Sequence, residues 1–377
     1  MEKFALKEIK TQNMEAELQK IGFDEGYRFL ASDKFQYKNI KIFNLTSAQA
    51  NIIKQTALSV GADCGTHRDV ITAKAEYSNV ILGGSISQLK RISDKLKYQP
   101  FNLKELGYKI NSLIDEKKQT VATKLVGILN ITPNSFSDGG KYIKPIEAQK
   151  HLIKLIQDGA DIIDIGAEST KPDSDEVESA TQIERLKPIL SFIQRENIKI
   201  PISVDTRSSL VADYVLNNGA SIINDVSGFD YDKKLADVVS RYKAKVIIQH
   251  SKGTPKEMQI APHYDDVVEE VYLSLKEKIE YAENLGIKDI VIDVGIGFGK
   301  TKENNFELLN RIEEFKTLNC PIMVGVSRKS LLGITNNDND LKDSLSLAIS
   351  YPLVHKVDYL RVHNVKLHKE LLNCLCV

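Results

Sequence analysis

Eight apolar segments recur through the second part of the chain, and segments with helical periodicity separate them. The predicted strands are Leu125–Thr132, Ala160–Ala167, Ile200–Asp205, Ala220–Asp225, Ala244–His250, Asp289–Gly295, Pro321–Ser327 and Tyr359–His363. They are nearly continuous in apolar residues, as is typical of parallel strands buried on both faces. Eight such strands within residues 119–377 predict an α/β fold, a (β/α)8 TIM barrel. A doubly wound open sheet is the alternative, but the Gly-rich dinucleotide turn is missing.

Residues 1–118 show a different pattern and predict a small α+β accessory domain of unknown role. Its predicted elements are strands at Ile40–Leu45, Val70–Ala75 and Asn79–Leu82, helices at Ser47–Leu58 and Ser87–Leu96, and Phe101–Tyr108 as the closing strand of a βαββαβ sandwich. The charged segment Asp115–Thr120 is a natural linker to the barrel.

The composition limits the classes of partner and compartment. Lys plus Arg and Asp plus Glu number 51 each among 377 residues, so no global field favours nucleic acid or a membrane. The four cysteines do not form a disulfide framework, which predicts a reduced, cytoplasmic protein. The terminal Cys374-x-Cys376 pair needs further ligands nearby to bind zinc. A second possible metal-binding cluster is better explained as a polar loop between a helix and a strand: Asp63, Cys64, His67, Arg68 and Asp69.

Polar residues stand at or just after the carboxyl end of every predicted barrel strand. In strand order they are Asn130, then Glu168 to Pro172, Asp205, Asn224 with Asp225, Gln249 with His250, Asp293, Ser327 to Ser330, and Arg361 with His363. Each has an ordinary structural explanation: Asp205 could cap the next helix, Asn224 and Asp225 could form a turn, and Lys329 could be solvated. The occurrence at all eight strand ends instead indicates an active site, because barrel enzymes build theirs at that rim.

Two sets of side chains can be separated within this rim. One set could bind a flat heterocycle, because carboxylates accept paired N–H groups and an ammonium donates to ring nitrogen and carbonyl oxygen: Asp205, Asn224, Asp293 and Lys329. A second set suits phosphates. Arg361 offers a planar fork, His363 lies beside it in sequence, and Asn130 could support a hydrated Mg²⁺.

Residues 124–377 closely resemble the dihydropteroate synthases, the folate-pathway enzymes that join a pterin to p-aminobenzoate. Eight blocks in order carry the resemblance: GILNITPNSFSDGG, GADIIDIGAESTKP, ISVDTR, GASIINDVSG, VIIQHSKGTP, DVGIGFGKT, VGVSRKSLLG and LRVHNV. The resemblance implies a transferase that condenses 6-hydroxymethyl-7,8-dihydropterin diphosphate with p-aminobenzoate. It also implies Mg²⁺ as cofactor, a homodimer, and membership of a sulfonamide target class.

The resemblance assigns roles to individual residues. Asp205, Asn224, Asp293 and Lys329 would bind the pterin, and Asn130, Arg361 and His363 the diphosphate, with Asn130 also at the metal. The aminobenzoate pocket would be bordered by Thr170, Lys171, Pro172, Phe298 and Ser330, and Phe136 and Asp138 would order the site on loop closure. Of these, Asp205, Lys329, Arg361 and His363 are expected to be catalytic.

The sequence departs from the common pattern at Lys171, where many relatives have Arg, and at Val294, where Pro is common. Two alternatives to the synthase remain. One is a pterin-dependent methyltransferase barrel, which has no need of a diphosphate clamp. The other is a catalytically silent folate-binding paralogue, with residues 1–118 as an adaptor.

Overall fold

The computed structural model describes residues 4–10, 13–115, 122–131, 143–168, 176–253, 262–334 and 338–375, with only the backbone at 143 and 144. The chain divides into two compact units, Met1–Gln119 and Thr120–Val377. The predicted boundary between residues 118 and 119 lies next to this division. No helix in the described ranges is both long enough and apolar enough to cross a lipid bilayer.

The first unit is a small α+β fold, as predicted. Its elements are α1 (Met14–Lys20), α2 (Arg28–Ser32), β1 (Tyr37–Thr46), α3 (Ser47–Leu58), β2 (Asp63–Gly65), β3 (Tyr77–Ser85), α4 (Ile86–Leu96) and α5 (Leu103–Asp115). The strands form one antiparallel sheet in the order β1–β3–β2. Capping boxes at Thr46 and Ser85 start α3 and α4, so each strand passes directly into its helix.

Two strands predicted in this unit are wrong. Phe101–Tyr108 contains the start of α5, because buried residues recur at helical spacing as Leu103, Gly107, Ile110 and Ile114. Val70–Ala75 is a turn that follows a 3₁₀ helix at Arg68–Val70, and Ala73 within it has a left-handed φ of 56°. The sequence analysis also missed β2. The predicted βαββαβ sandwich is therefore a three-stranded sheet followed by a terminal helix.

The second unit is a closed barrel of eight parallel strands, as predicted, and the open-sheet alternative is wrong. The order along the chain is β4 (Lys124–Asn130), α6 (Ile143–Gln157), β5 (Ile162–Gly166), α7 (Ser179–Arg195), β6 (Ile202–Asp205), α8 (Ser209–Asn217), β7 (Ile222–Asp225), α9 (Lys234–Tyr242), β8 (Lys245–Gln249), α10 (Val267–Asn284), β9 (Ile290–Asp293), α11 (Lys302–Asn310), β10 (Ile322–Val324), α12 (Asn339–Ser350), β11 (Tyr359–Val362) and α13 (Val365–Leu375). The strand β11 pairs with β4 and closes the barrel.

The strands are apolar throughout because each has two buried faces. One face packs under the helices in the main core, which includes Leu125, Ile163, Val204 and Ile223. The other face lies inside the barrel, where six buried side chains from six strands form a cluster of their own: Val126, Ile162, Ile222, Ile247, Val291 and Met323. We call this cluster the lower layer. Since inward positions alternate along a strand, the next inward residues lie above it, toward the carboxyl ends of the strands.

Candidate active site

The inward positions above the lower layer are polar. Two residues beyond Ile162, Ile222 and Val291 stand Asp164, Asn224 and Asp293, each no more than 2% exposed. Asp205 lies on β6 in register with Asn224, and Gln249 lies in register with Asp293. The same alternation that fills the lower layer with apolar groups therefore places polar groups directly above it. We call this set the polar layer.

Arg361 of β11 links two carboxylates of the polar layer. Its Nε donates to Asp164 Oδ2 at 2.7 Å, and its Nη2 donates to Asp205 Oδ2 at 2.9 Å. These bonds use two of the five N–H groups of a guanidinium, so donors remain for a ligand. The sequence analysis placed Arg361 and Asp205 in separate sets, whereas the structure brings the two sets into contact through this ion pair.

Burial changes the protonation equilibria of these acids. It raises the pKa of Asp205, an effect that Arg361 opposes and that the neighbouring Asp164 reinforces. Burial likewise raises the pKa of Asp293, and Lys329 opposes that shift. Carboxyl groups with raised pKa values and specific charge partners are typical of functional sites.

Two buried oxygens of the polar layer have no hydrogen-bond partner among the described residues. Asn224 Nδ2 donates to Asp164 Oδ2 at 3.0 Å, while Asn224 Oδ1 and Asp164 Oδ1 are unpartnered. A buried acceptor without a donor costs free energy, so a ligand that supplies N–H groups would be bound favourably there. This acceptor pattern fits a heterocycle with an amino-amide edge.

The space for these groups depends on a glycine at the end of β5. Gly166 is paired with Asn130 on one side and with Asp205 on the other, and all three residues lie on the inner face. A Cβ at Gly166 would come within 3.0 Å of Asn130 Oδ1. The absent side chain lets Asn130 and Asp205 approach across β5. Asn130, predicted at the metal and the diphosphate, is thereby brought to the edge of the polar layer.

The loop after β9 joins Asp293 to Lys329. Asp293 Oδ1 accepts the backbone N–H of Gly295 at 2.7 Å. Lys329 Nζ donates to the Ile296 carbonyl at 2.6 Å and lies 4.7 Å from the centre of the Phe298 ring. Burial lowers the pKa of Lys329 to about 8, although Asp293 opposes the shift. The loop after β9 therefore brings Asp293 and Phe298 close to Lys329, which lies in the segment after β10.

Lys300 holds this loop through contacts with its backbone carbonyl groups. Its Nζ contacts the carbonyl oxygens of Gly295 at 3.1 Å and Phe298 at 3.0 Å, and His250 Nδ1 at 2.9 Å. An ammonium has three N–H groups, so these contacts match its donors. Burial lowers the pKa of Lys300 to about 7 and that of His250 to about 2, so His250 is neutral and its Nδ1 accepts.

Glycines are required in this loop because a neighbouring backbone leaves no room for a Cβ atom. Gly295, Gly297 and Gly299 all have positive φ values, 69°, 83° and 64°. A Cβ on Gly295 would overlap the His250 carbonyl oxygen, and one on Gly299 would overlap that of Lys252. The Gly-x-Gly-x-Gly pattern thus serves a close approach of two backbones rather than a nucleotide.

Gly295→Ala is expected to lower the free energy of unfolding by about 2 kcal/mol more than Gly333→Ala does. Gly333 is a matched control: its φ is also positive, at 71°, but a Cβ there would meet nothing within 4 Å. The difference between the variants therefore isolates the overlap with His250 from the left-handed backbone. Urea denaturation of both purified variants measures it, and equal losses would contradict the close approach.

His363 directly follows β11 and lies against the loop after β10. Its ring Nδ1 is 2.9 Å from Ser327 Oγ, and the same hydroxyl accepts the His363 backbone N–H at 3.2 Å. Burial, together with the positive charges of Arg328 and Arg361, lowers the pKa of His363 to about 3. The ring is therefore neutral at pH 7. It offers a hydrogen bond rather than a charge to a phosphate.

Of the ordinary structural explanations considered for single residues, the helix cap is wrong and the turn is confirmed for Asp225. Ser208, not Asp205, caps α8. Asp225 does make a turn, since its carboxylate accepts the backbone N–H groups of Ser227 and Phe229 at 2.9 and 2.6 Å. Asp63 to Asp69 form β2 and the following 3₁₀ turn, and no group of three or more potential metal ligands occurs among the described residues.

Several predicted positions lie outside the described residues: Phe136, Asp138, Thr170, Lys171, Pro172 and Cys376. Ser330 is exposed and begins a 3₁₀ helix, Ser330–Leu332, directly after Lys329. Asp164 and Lys300 were not among the predicted site residues. The inward alternation of β5 identifies Asp164, but nothing local to Lys300 reveals its partners on β8.

Comparisons with known proteins identify the family to which the chain is similar. The sequence profile described as pterin binding enzyme matches residues 126–363. A bifunctional dihydropteroate synthase/dihydropteroate reductase of Helicobacter pylori is 32% identical over 376 residues, covering 97% of both chains. A dihydropteroate synthase of Clostridium beijerinckii is 39% identical over 248 residues, or 64% of this chain and 89% of its own.

A solved structure has the same barrel. The dihydropteroate synthase of Clostridium difficile, determined in the presence of pteroic acid, superimposes with a TM-score of 0.62 at 37% identity, covering 67% of this chain and 95% of that one. With the profile match, the full-length relative and the polar layer at the strand ends, the chain belongs to the pterin-binding enzymes and, within them, to the dihydropteroate synthases.

Proposed function

We propose that this chain condenses 6-hydroxymethyl-7,8-dihydropterin diphosphate with p-aminobenzoate, giving 7,8-dihydropteroate and diphosphate in folate biosynthesis. The observation that carries the proposal is the polar layer, where Asp164 and Asn224 each have an acceptor oxygen with no partner among the described residues, beside the Arg361 ion pair. Asn224, Asp205 and Asp293 accept the pterin N–H groups. Lys329 donates to ring nitrogen and carbonyl oxygen.

The difficult step is breaking the bond between the pterin methylene carbon and the diphosphate oxygen. The electron-rich dihydropterin shares the positive charge that develops on this carbon. Asp205 and Asp293, when ionised, favour that charge electrostatically in a buried site. The amine of p-aminobenzoate is neutral at pH 7 and already has a lone pair. It attacks from the face opposite the leaving group, and the anilinium nitrogen that results then loses its proton to water. Positioning therefore replaces a general base in the attack itself.

The departing diphosphate is stabilised by Arg361, His363 and Asn130 at the rim. Arg361 contributes charge through its remaining N–H groups, and neutral His363 contributes a hydrogen bond. Asn130 would hold Mg²⁺ through its side-chain oxygen, because Mg²⁺ prefers oxygen ligands and usually keeps water and substrate phosphates as the others. When bound, Mg²⁺ neutralises charge on the diphosphate.

The pH dependence of kcat/KM should be bell-shaped. The acidic limb reflects ionisation of Asp205, whose pKa is raised by burial, so activity rises as that proton is lost. The alkaline limb reflects Lys329, whose pKa burial lowers to about 8, so activity falls as the ammonium loses its proton. Lys329→Arg should extend activity to higher pH, because a guanidinium stays charged. An unchanged alkaline limb in that variant would contradict the assignment.

Turnover by the purified full-length chain tests the reaction. The assay supplies the pterin diphosphate, p-aminobenzoate and Mg²⁺, and follows dihydropteroate and diphosphate. Product that requires both substrates and disappears with a chelator supports the proposal. Pterin binding without turnover would favour the silent paralogue. Methyl transfer to a corrinoid, with no use of diphosphate, would favour the methyltransferase barrel.

The proposal includes a homodimer in the cytoplasm with no nucleic-acid or membrane partner. It is supported by the resemblance, by the balanced charge of the chain and by the unpaired cysteines Cys64, Cys320 and Cys374. Sedimentation of the purified chain measures the oligomeric state. A monomer at all accessible concentrations would contradict the dimer.

A second activity is favoured for residues 1–118. The Helicobacter pylori relative is named as a synthase and a dihydropteroate reductase, and its match covers 97% of this chain, including the first unit. We propose that this chain also reduces 7,8-dihydropteroate. A donor such as a nicotinamide or a reduced flavin would deliver hydride to C6 of the pterin, water would protonate N5, and the donor would be oxidised.

The test uses the full chain and the Asp293→Asn variant, which is altered only in the barrel. Each is supplied with 7,8-dihydropteroate and, in turn, NADPH, NADH or reduced flavin, and tetrahydropteroate is measured. Reduction by both proteins supports a reductase outside the polar layer. Reduction lost in the variant would place the activity in the barrel, and no reduction with any donor would contradict it.

A further inference from the structure

We propose that Asp343 of α12 is a positioning residue that orients Lys329 and His363 by binding the two segments that carry them. The inference rests on the proposed synthase reaction for its kinetic readout only. Asp343 is 5% exposed and lies on a helix outside the barrel strands. It is separate from the substrate-facing polar layer.

The first segment is held through Arg328. Arg328 Nε donates to Asp343 Oδ1 at 2.7 Å, and Nη2 donates to Oδ2 at 2.8 Å, which is a two-bond fork. The Arg328 backbone N–H donates to the hydroxyl of Ser346, one turn further along α12, at 3.1 Å. The helix therefore fixes both the side chain and the backbone of Arg328.

This double attachment maintains an unfavourable backbone conformation. Arg328 has a φ of 58°, a left-handed value that side-chain-bearing residues rarely adopt and that persists only where surrounding contacts impose it. The residue after it is Lys329, whose Nζ reaches the Ile296 carbonyl inside the barrel. Arg328 thus faces outward to α12 while Lys329 faces inward. Without the attachment, an extended Arg328 would change the direction of Lys329.

The second segment is held through Asn364. Its Nδ2 donates to Asp343 Oδ2 at 3.2 Å, and its Oδ1 accepts the Leu367 N–H at 3.1 Å near the start of α13. His363 precedes Asn364, and its ring contacts Ser327, the residue before Arg328. The contacts form a closed circuit from Asp343 through Arg328, Ser327, His363 and Asn364. One buried carboxylate therefore sets the relative positions of two rim segments.

Asp343→Asn tests this proposal, because the amide has the same size but lacks the charge and one acceptor oxygen. The matched control is Asp213→Asn on α8, which removes an exposed carboxylate that accepts from Arg241 and Tyr242 at the end of α9. For each variant, KM for the pterin diphosphate and KM for p-aminobenzoate are measured separately, well below the unfolding temperature. The affinity for the pterin diphosphate is also measured directly by calorimetry.

We expect Asp343→Asn to raise KM and Kd for the pterin diphosphate about tenfold and to leave KM for p-aminobenzoate nearly unchanged. Asp213→Asn should change neither. A lowered melting temperature with unchanged pterin affinity would overturn the proposal, since a purely structural residue gives that result. Wild-type chain that binds the pterin diphosphate but does not turn over would contradict the synthase reaction alone.

A second variant covers the case in which Asp343→Asn does not fold. Arg328→Lys keeps the positive charge but loses the two-bond fork, and it should raise Kd for the pterin diphosphate similarly. The double variant Asp343→Asn with Arg328→Lys should be no worse than either single variant, because both break the same contact. Additive losses, or an Arg328→Lys variant with wild-type affinity, would overturn the proposal.

Discussion

Arg361→Ala is expected to reduce kcat/KM by about a thousandfold. The change removes the cation that pairs with Asp164 at 2.7 Å and Asp205 at 2.9 Å, and with it the donors that face the diphosphate. It also leaves two buried carboxylates without their partner, which costs about 3 to 5 kcal/mol unless they take up protons. Steady-state kinetics and a melting curve on the same preparation measure both effects.

Two further variants are needed to interpret that result. Arg361→Lys keeps one positive charge but cannot bridge both carboxylates, so it should retain stability better than activity. Arg241→Ala removes an exposed arginine that pairs with Asp213, far from the rim, and serves as the matched control. A kcat/KM for Arg361→Ala within about tenfold of wild type would exclude a direct part in diphosphate departure.

Asp293→Asn is expected to weaken pterin binding by about a hundredfold. The amide can keep its Oδ1 toward the Gly295 N–H, which is 2.7 Å away, so the loop after β9 should stay in place. The other oxygen becomes an NH2 group, which faces the pterin N–H donors with hydrogens instead of a lone pair. Calorimetric titration with the pterin diphosphate measures the loss.

The matched control is Asp289→Asn immediately before the start of β9, where an exposed carboxylate lies 3.5 Å from Lys245 Nζ. It makes the same chemical change at the other end of the strand without touching the polar layer. Its pterin affinity should equal that of wild type. Tight pterin binding by Asp293→Asn would remove Asp293 from the binding set.

The sequence predicted the barrel well because its strands are buried on both faces and are therefore apolar throughout. The same property hid which residues point inward: Ile163 and Asp164 are both fully buried, and only the pairing of β5 with β4 and β6 assigns their faces. Most predicted strands are also longer than the observed ones. β10 is Ile322–Val324, because Gly325 to Ser327 already belong to the rim.

The predicted site residues were identified by position at the strand ends, but their partners were not. Arg361 and Asp205 are 156 positions apart, and no local pattern indicates an ion pair across the barrel. The role of Arg328 could not be predicted for the same reason, since its carboxylate partner comes from α12. In the first unit, Phe101–Tyr108 was predicted as a closing strand, whereas buried residues at helical spacing continue to Ile114.

The division of the barrel interior into a lower layer and a polar layer affects how this sequence can change through evolution. Substitutions in the lower layer, such as Val126 or Met323, alter packing without altering any group that faces substrate. Exchanges among apolar residues of similar volume there cost little. Stability lost by a change near the rim can therefore be regained a few ångströms below it. Substitutions at the rim can therefore change substrate preference while the lower layer keeps the barrel folded.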